Sequence, residues 1–332
     1  MSFLRRGQGR AATTRIFYAT DLHGSDMTWR KFINAAQFYK VDALICGGDL
    51  MGKVVIPLVK TSGSTWRASL QGQAHELATT SELHAFTQRL GTLGHYWIEL
   101  DEDEYDSYVG NEERIDSLFD ELAKQRLQKW VALAEERLAG THIRCLITGG
   151  NDDTDDVLAA MEELDTDRVV PCESRVVALD DRHTVASLGY STPTPWNTPR
   201  ELPDAEIGAR IEKLLAQVPD PSACLFNFHV PPLDSGLDTC VKLNSSVWPP
   251  APVVENGQPV MFGAGSRSVR EAIEHYHPLI SLHGHIHEAR GINKYGSVAS
   301  INPGSEYGEG ILRGVIVNLA GNSVSAVQFT SG

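Results

Sequence analysis

Apolar residues recur along the chain in short runs, each closed by glycine, histidine or acidic residues. Ile16-Phe17-Tyr18-Ala19 runs into Thr20-Asp21-Leu22-His23-Gly24, and Ala43-Leu44-Ile45-Cys46 into Gly47-Gly48-Asp49-Leu50. Ile143-Arg144-Cys145-Leu146-Ile147 runs into Thr148-Gly149-Gly150-Asn151-Asp152-Asp153. Cys224-Leu225-Phe226-Asn227-Phe228 ends at His229, and Pro278-Leu279-Ile280 leads into Ser281-Leu282-His283-Gly284-His285-Ile286-His287-Glu288. Runs this short with such ends predict buried strands. Between the first two lies a helical pattern at 27–39, capped by Ser25 or Asp26, so the chain opens as a βαβ unit.

The rhythm breaks at 53–77, where 54–59 and 65–70 predict a hairpin. Helical spacing is predicted over 81–139, clearest at 112–138, with the acidic run 101–104 as a solvated turn between helices. Shorter helices are expected at 155–164, 205–217 and 268–275, a strand pair at 175–179 and 184–188, and short strands over 298–329. The Pro-rich stretch 233–262 reads as mostly irregular, and loops that long tend to be functional or flexible.

Composition narrows the class. The chain has 332 residues, 42% hydrophobic and 22% charged, which suits a globular α/β protein. A net charge of −14 argues against non-specific nucleic-acid binding and would repel a polyanionic substrate unless cations invert the local field. Cys46, Cys145, Cys172, Cys224 and Cys240 have no zinc-finger or Cys-x-x-Cys spacing, which fits a reducing compartment. No apolar run approaches a membrane span or a signal segment, so a cytoplasmic protein without a membrane partner is expected. The expected organisation is a loose segment over 1–14 and one domain over 15–332, carrying an insertion over about 53–139. An exposed hairpin edge there could pair with a second subunit.

The strand ends carry the candidate chemistry: Asp21-x-His23, Gly48-Asp49, Gly150-Asn151, His229 and His285-x-His287. Any one is weak, and a lone His-x-His is more often an ordinary structural pair. Five in order, each after an apolar strand, point to a metal site. Ligands in open α/β sheets gather at the carboxyl ends of strands. Carboxylates, an amide and imidazoles together suit Mn, Fe or Zn, with Mg also compatible, and the donors suffice for two ions.

These ordered motifs resemble the calcineurin-like metallophosphoesterase superfamily. With Gly265-Ser266-Arg267 and Asn302-Pro303-Gly304-Ser305-Glu306-Tyr307, the chain resembles a branch of predicted phosphoesterases related to Icc. The resemblance implies a four-layer α/β/β/α sandwich with the hairpin and helical insertion added. It implies that Asp21, His23, Asp49 and His287 hold one divalent metal and that Asp49, Asn151, His229 and His285 hold a second, with Asp49 bridging. It also implies attack on a phosphate ester by a hydroxide shared between the metals. A small phosphate ester or nucleotide is the expected substrate, and a phosphodiester is favoured. The alternatives are a phosphomonoesterase or nucleotide pyrophosphatase on the same site, or a non-catalytic metal-binding scaffold.

One position departs from the family pattern. Asp152 stands where Gly-Asn-His-Asp or Gly-Asn-His-Glu has the histidine assigned to transition-state stabilisation and leaving-group protonation. Asp152 either turns away, or is kept protonated by Asp153, or serves a leaving group that needs little help. Asp49 and Asp152 are therefore the catalytic candidates. Asp153 is expected to orient a neighbour or cap a helix, and His283 to be structural. Ser266 and Arg267, at a helix start, are candidates with Asn151 for binding substrate phosphate, the alternative being ordinary capping by Ser266 beside a surface arginine.

Overall fold

The computed structural model describes residues 13–332. The loose segment expected over 1–14 lies outside these except for Thr13 and Thr14, which begin the first strand, Thr13–Ala19.

Two six-stranded sheets form the body. The first runs, edge to edge, Val324–Ser331, Arg313–Ala320, Thr13–Ala19, Ala43–Cys46, Arg144–Ile147, Val169–Pro171. The second runs Gly291–Tyr295, Val298–Asn302, Ile280–Leu282, Cys224–Phe228, Thr184–Leu188, Val176–Ala178. In the first sheet, Thr13–Ala19, Ala43–Cys46, Arg144–Ile147 and Val169–Pro171 are parallel; in the second, Thr184–Leu188, Cys224–Phe228, Ile280–Leu282 and Val298–Asn302 are.

Side-chain parity explains why the strands are apolar throughout. Ile16, Tyr18, Ala43, Ile45 and Leu146 point one way, into a buried cluster shared with Val185, Leu225, Ile280 and Ile301 of the other sheet. Phe17, Ala19, Leu44, Cys46, Cys145 and Ile147 point the other way, against Trp29, Phe32, Leu127, Trp130 and Val157. Alternate side chains of a strand face opposite sides, so a strand covered on both faces needs apolar residues at every position. On the far face of the second sheet, Ala186, Phe226 and Phe228 meet Ile207, Ile211 and Ile273. The helices concerned are Asp26–Phe38, Glu112–Leu138 and Asp155–Glu163 on one side, Asp204–Leu215 and Arg267–Tyr276 on the other.

Three expectations change. The expected hairpin forms, Val55–Ser62 pairing antiparallel with Thr65–Leu70, but it is the centre of a four-stranded sheet, ordered Gln73–Leu77, Thr65–Leu70, Val55–Ser62, Tyr96–Leu100. Its last strand interrupts the expected helical region, because Gly94 at φ 82° ends the helix Thr80–Thr92 and Tyr96-Trp97-Ile98 favour a strand. The acidic run 101–104 is a helix start: Asp101 accepts from the Glu104 amide while Glu104 accepts from the Asp101 amide, a reciprocal cap. The stretch 233–262 is an arm of short ladders, Thr239–Val241 with Met261–Gly263, Leu243–Asn244 with Ala251–Pro252, and Val254–Glu255 with Gln258–Pro259.

No helix among the described residues is long and apolar enough to cross a membrane.

Candidate metal centre

The loops after the first two parallel strands are zipped together by backbone. The amides of Asp21, His23 and Gly24 donate to the carbonyls of Gly48, Asp49 and Leu50 at 2.9, 3.0 and 2.7 Å. That pairing turns Asp21 and Asp49 toward each other. Glycines make the approach possible, since a methyl on Gly150 would overlap Asp49 Oδ1, and one on Gly284 would overlap Thr20 and Asp21. Asp21, His23, Asp49 and His285 hold φ of 55, 42, 50 and 67°. Left-handed backbone is uncommon away from glycine and gathers at functional sites.

The side chains converge. His23 Nε2 lies 3.6 Å from Asp49 Oδ2 and 3.0 Å from His287 Nε2. His287 Nε2 lies 3.4 Å from Asp21 Oδ1, and His229 Nε2 lies 3.3 Å from Asp49 Oδ2 and 3.8 Å from Asp21 Oδ1. Three tight groups result: Asp21, His23 and His287; Asp21, Asp49 and His229; His23, Asp49 and Asp152. His285 stands beside His229, ring centroids 5.5 Å apart, and its amide donates to both Asp21 oxygens at 3.1 Å. Asn151 is buried; its amide nitrogen donates to Thr198 Oγ1 at 2.9 Å, leaving Oδ1 without a partner.

This donor set fits divalent cations. Two buried carboxylates face each other, an arrangement that needs positive charge between them. His23 Nδ1, His229 Nε2 and Asn151 Oδ1 are buried with no hydrogen-bond partner. His229 Nδ1 donates to Gly47 O at 2.9 Å, which fixes the tautomer and leaves Nε2 free as a ligand. Burial alone would raise Asp21, but His287 and His229 pull it down to about 2. Burial would lower His229, yet Asp49 pushes it up to about 10; a cation between the carboxylates would take the place of that proton. Burial, reinforced by His229, holds His285 down at about 3, a neutral imidazole.

Asp152 does not turn away. Its Oδ2 lies 3.6 Å from His23 Nδ1 and meets Lys53 Nζ at 2.5 Å, and its amide donates to Asp49 Oδ1 at 3.0 Å. Burial and the Asp49 charge raise its carboxyl to about 7, against the lowering pull of Lys53. Asp153 adds to that rise, behind burial and Asp49. It accepts from the amides of Gly150, Leu50 and Met51 at 2.8, 3.0 and 2.9 Å, fastening two metal loops together, while Thr154 caps the next helix.

Ser266 and Arg267 stand apart from this cluster. Ser266 is buried, caps its helix through Val269 N and donates to Asp204 Oδ1 at 2.6 Å, so its hydroxyl is already engaged. Arg267 is exposed and does not line the cleft over the cluster. Of the two readings of this helix start, these bonds favour the ordinary cap over the phosphate seat. His283 is buried and bonds Phe228 O and Ser281 Oγ, each at 2.8 Å, away from the ligand groups. Sequence reasoning missed Lys53, whose only signal is a cation four residues beyond Asp49, and Tyr307, whose ring covers His23 at 4.5 Å.

No protein-family model matches the chain. Uncharacterized protein MJ1162 of Methanocaldococcus jannaschii is 29% identical over 174 residues, covering 51% of this chain and 68% of that protein. One crystal structure aligns over 96% of this chain and 99% of its own at 14% identity, with TM-score 0.55. TT1561 of Thermus thermophilus aligns over 97% and 99% at 14% identity, with TM-score 0.52. A novel archaeal phosphodiesterase aligns at 10% identity over 96% and 99%, with TM-score 0.35, too low to carry weight. The chain therefore shares an α/β fold with solved proteins, and its Asp/His groups are able to hold metal.

Proposed function

We propose that this protein is a metal-dependent phosphoesterase of the calcineurin-like kind, acting on a phosphodiester. The carrying observation is the convergence of Asp21, His23, Asp49, His229 and His287 on shared ligand positions at the ends of parallel strands. We also read the two sheets and their flanking helices as the four-layer α/β/β/α arrangement of that superfamily.

Asp21, His23, Asp49 and His287 would hold one ion, and Asp49, Asn151, His229 and His285 the other. Mn, Fe or Zn suit this set best. Such ions, when bound, draw charge from phosphate oxygens and lower the pKa of water toward about 7. The remaining steps belong to the chain. Gly47, through its carbonyl, and Asp153, through three amides, hold the ligand loops in register. Lys53 offsets the Asp152 carboxylate, which would otherwise repel an anionic ester, and offers an ammonium to a phosphate oxygen at the cleft wall. Beside bound cations the Asp152 carboxyl would fall from its raised value of about 7, and a carboxylate so held and paired to lysine is a weak proton donor for a leaving alkoxide. Esters with good leaving groups should therefore turn over best.

Metal analysis of the purified chain, with bis(p-nitrophenyl) phosphate and p-nitrophenyl phosphate as substrates, tests this. The expected result is bound divalent metal and diester turnover exceeding monoester turnover. Chelation should abolish both, and Asp49→Asn should lower kcat/KM by about 100-fold or more. A metal-loaded chain that hydrolyses neither ester would sink the enzymatic reading.

A further inference from the structure

The cleft over the metal cluster is much larger than a phosphate group. It encloses about 1180 Å³, and its floor carries Asp49, Asn151, Asp152, His285 and His287. Two segments from outside the main sheets build its walls, the loop around 192–198 and the arm from 240 to 265. Both are fixed rather than loose. Glu201 accepts from Thr194 N at 2.9 Å and from Thr198 N at 3.0 Å, and Thr192 Oγ1 donates to Ala264 O at 3.1 Å, which ties loop to arm. At the base of the arm the buried Asp238 accepts from the amides of Asp234, Ser235, Gly236 and Gly265.

Each wall presents an indole to the cleft. Trp196 comes from the loop and Trp248 from the arm, their rings 6.1 Å apart and nearly perpendicular, and Phe262 joins them. Trp196, Trp248 and Phe262 are 50, 77 and 41% exposed. Among the described residues the only other comparably exposed large aromatic is Phe38, so three of the four line this one cleft. Single exposed apolar residues need no explanation, but a concave group above a polar floor is the build of a ligand site. Its concavity, and a floor of ligand candidates that would draw a phosphate once loaded with metal, favour a small ester over a protein face.

We infer that Trp196, Trp248 and Phe262 form a subsite for a planar aromatic substituent of the substrate, an aryl group or a nucleobase, whose phosphate lies over the Asp/His cluster. This rests on the phosphoesterase reading above. Flat rings stack on aromatic side chains in a sequence-tolerant way, and removing one platform costs about 10-fold or more in affinity.

The test separates the two claims. On the metal-loaded full chain, calorimetry compares phenylphosphonate with methylphosphonate, which share a head group and differ in the ring. Phenylphosphonate should bind about 10-fold more tightly. The ratio should fall toward one in Trp196→Ala and in Trp248→Ala, and should largely persist in Trp196→Phe, which keeps a ring. In parallel, methyl, phenyl and thymidine 5′ esters of p-nitrophenyl phosphate share one leaving group. Higher kcat/KM for both ring-bearing esters supports the shared aromatic class; a gain for only one identifies which ring is taken. Ring preference in binding without any hydrolysis would retain the subsite and overturn the catalytic reading. Hydrolysis with equal affinities for the two phosphonates, or a ratio unchanged in both alanine variants, would overturn the subsite.

Discussion

Arg200→Met should destabilise the protein by about 3–5 kcal/mol and loosen the loop that carries Asn151. Arg200 and Glu173 are both buried, 2 and 8% exposed, and paired through Arg200 Nη2 and Glu173 Oε1. Arg200 Nη1 also donates to Gly150 O at 2.8 Å, its amide donates to Asn151 O at 3.0 Å, and its guanidinium lies 4.2 Å from the centre of the Tyr190 ring. Removing the cation leaves Glu173 with only neutral donors, Thr148 Oγ1 at 2.6 Å, Ser174 Oγ at 3.1 Å and the Gly189 amide at 3.2 Å. That orphaned charge dominates. The Gly150 bond adds about 1 kcal/mol, and a methionine sulfur against Tyr190 returns part of the lost ring contact.

Urea unfolding in the presence of a chelator reads the effect without metal loss entering. With a slope of about 3 kcal/mol/M, the midpoint should fall by about 1–1.7 M. Adding Glu173→Gln removes the orphaned charge, so the double variant should be more stable than Arg200→Met alone. Metal affinity, measured by competition with a chelating dye, should drop by about 10–100-fold. A loss below about 1 kcal/mol, or additive effects in the double variant, would refute the idea that this pair holds the loop through a buried charge.

Asp180 joins the two main sheets. It accepts from Thr14 Oγ1 at 2.5 Å and from His183 Nδ1 at 2.8 Å. Burial would raise its carboxyl, but the bonds from His183 and Thr14 hold it at about 2. A depressed folded pKa gives stability that is complete above the unfolded value near 3.9 and is lost as pH falls through about 2. Asp180→Asn should therefore cost about 1–2 kcal/mol at pH 6, with the gap to the parent closing between pH 4 and 2; a gap unchanged over that range contradicts it. Gly150→Ala should leave the circular dichroism unchanged while metal content falls, because the new methyl displaces Asp49. Full metal loading in that variant would show that the close approach is not needed.

The body of the fold was legible because its signals are local. Ile16 and Tyr18 serve one core and Phe17 and Ala19 the other, and a run apolar at every position announces a strand covered on both faces. The ligand candidates could be named for a similar reason, since each follows its own apolar run. What the sequence hid depends on chain distant from the strand ends. Tyr96–Leu100 becomes a strand by pairing with Val55–Ser62, which no helical periodicity over 81–139 could reveal. Lys53 acquires a role only because Asp152, 99 residues away, is folded against it. At Ser266 and Arg267 the sequence leaves two readings open: a helix start has the same local look whether it seats phosphate or only caps itself, and the bond to Asp204, 62 residues away, favours the cap.

The backbone of the metal centre adds an argument independent of residue type. Four ligand candidates, Asp21, His23, Asp49 and His285, occupy left-handed conformations, each costing on the order of 1–3 kcal/mol. Asp21 and Asp49 add a buried pair of like charges. A sequence free to optimise stability would place glycine or asparagine at such turns and keep carboxylates apart. Here the strained turns are held from outside, by the Gly48 to Leu50 carbonyls and by Asp153 spanning three amides. Neighbouring structure thus over-determines a geometry that its own residues disfavour. Ordinary structural histidines such as His183 and His283 show neither left-handed backbone nor unpartnered ring nitrogens, because both of their nitrogens are hydrogen-bonded. Strain and unpartnered donors coincide at the ends of the parallel strands, where His23 and His229 each keep one nitrogen without a hydrogen-bond partner. That coincidence is expected of residues able to hold a cation and not of a chance meeting of polar groups.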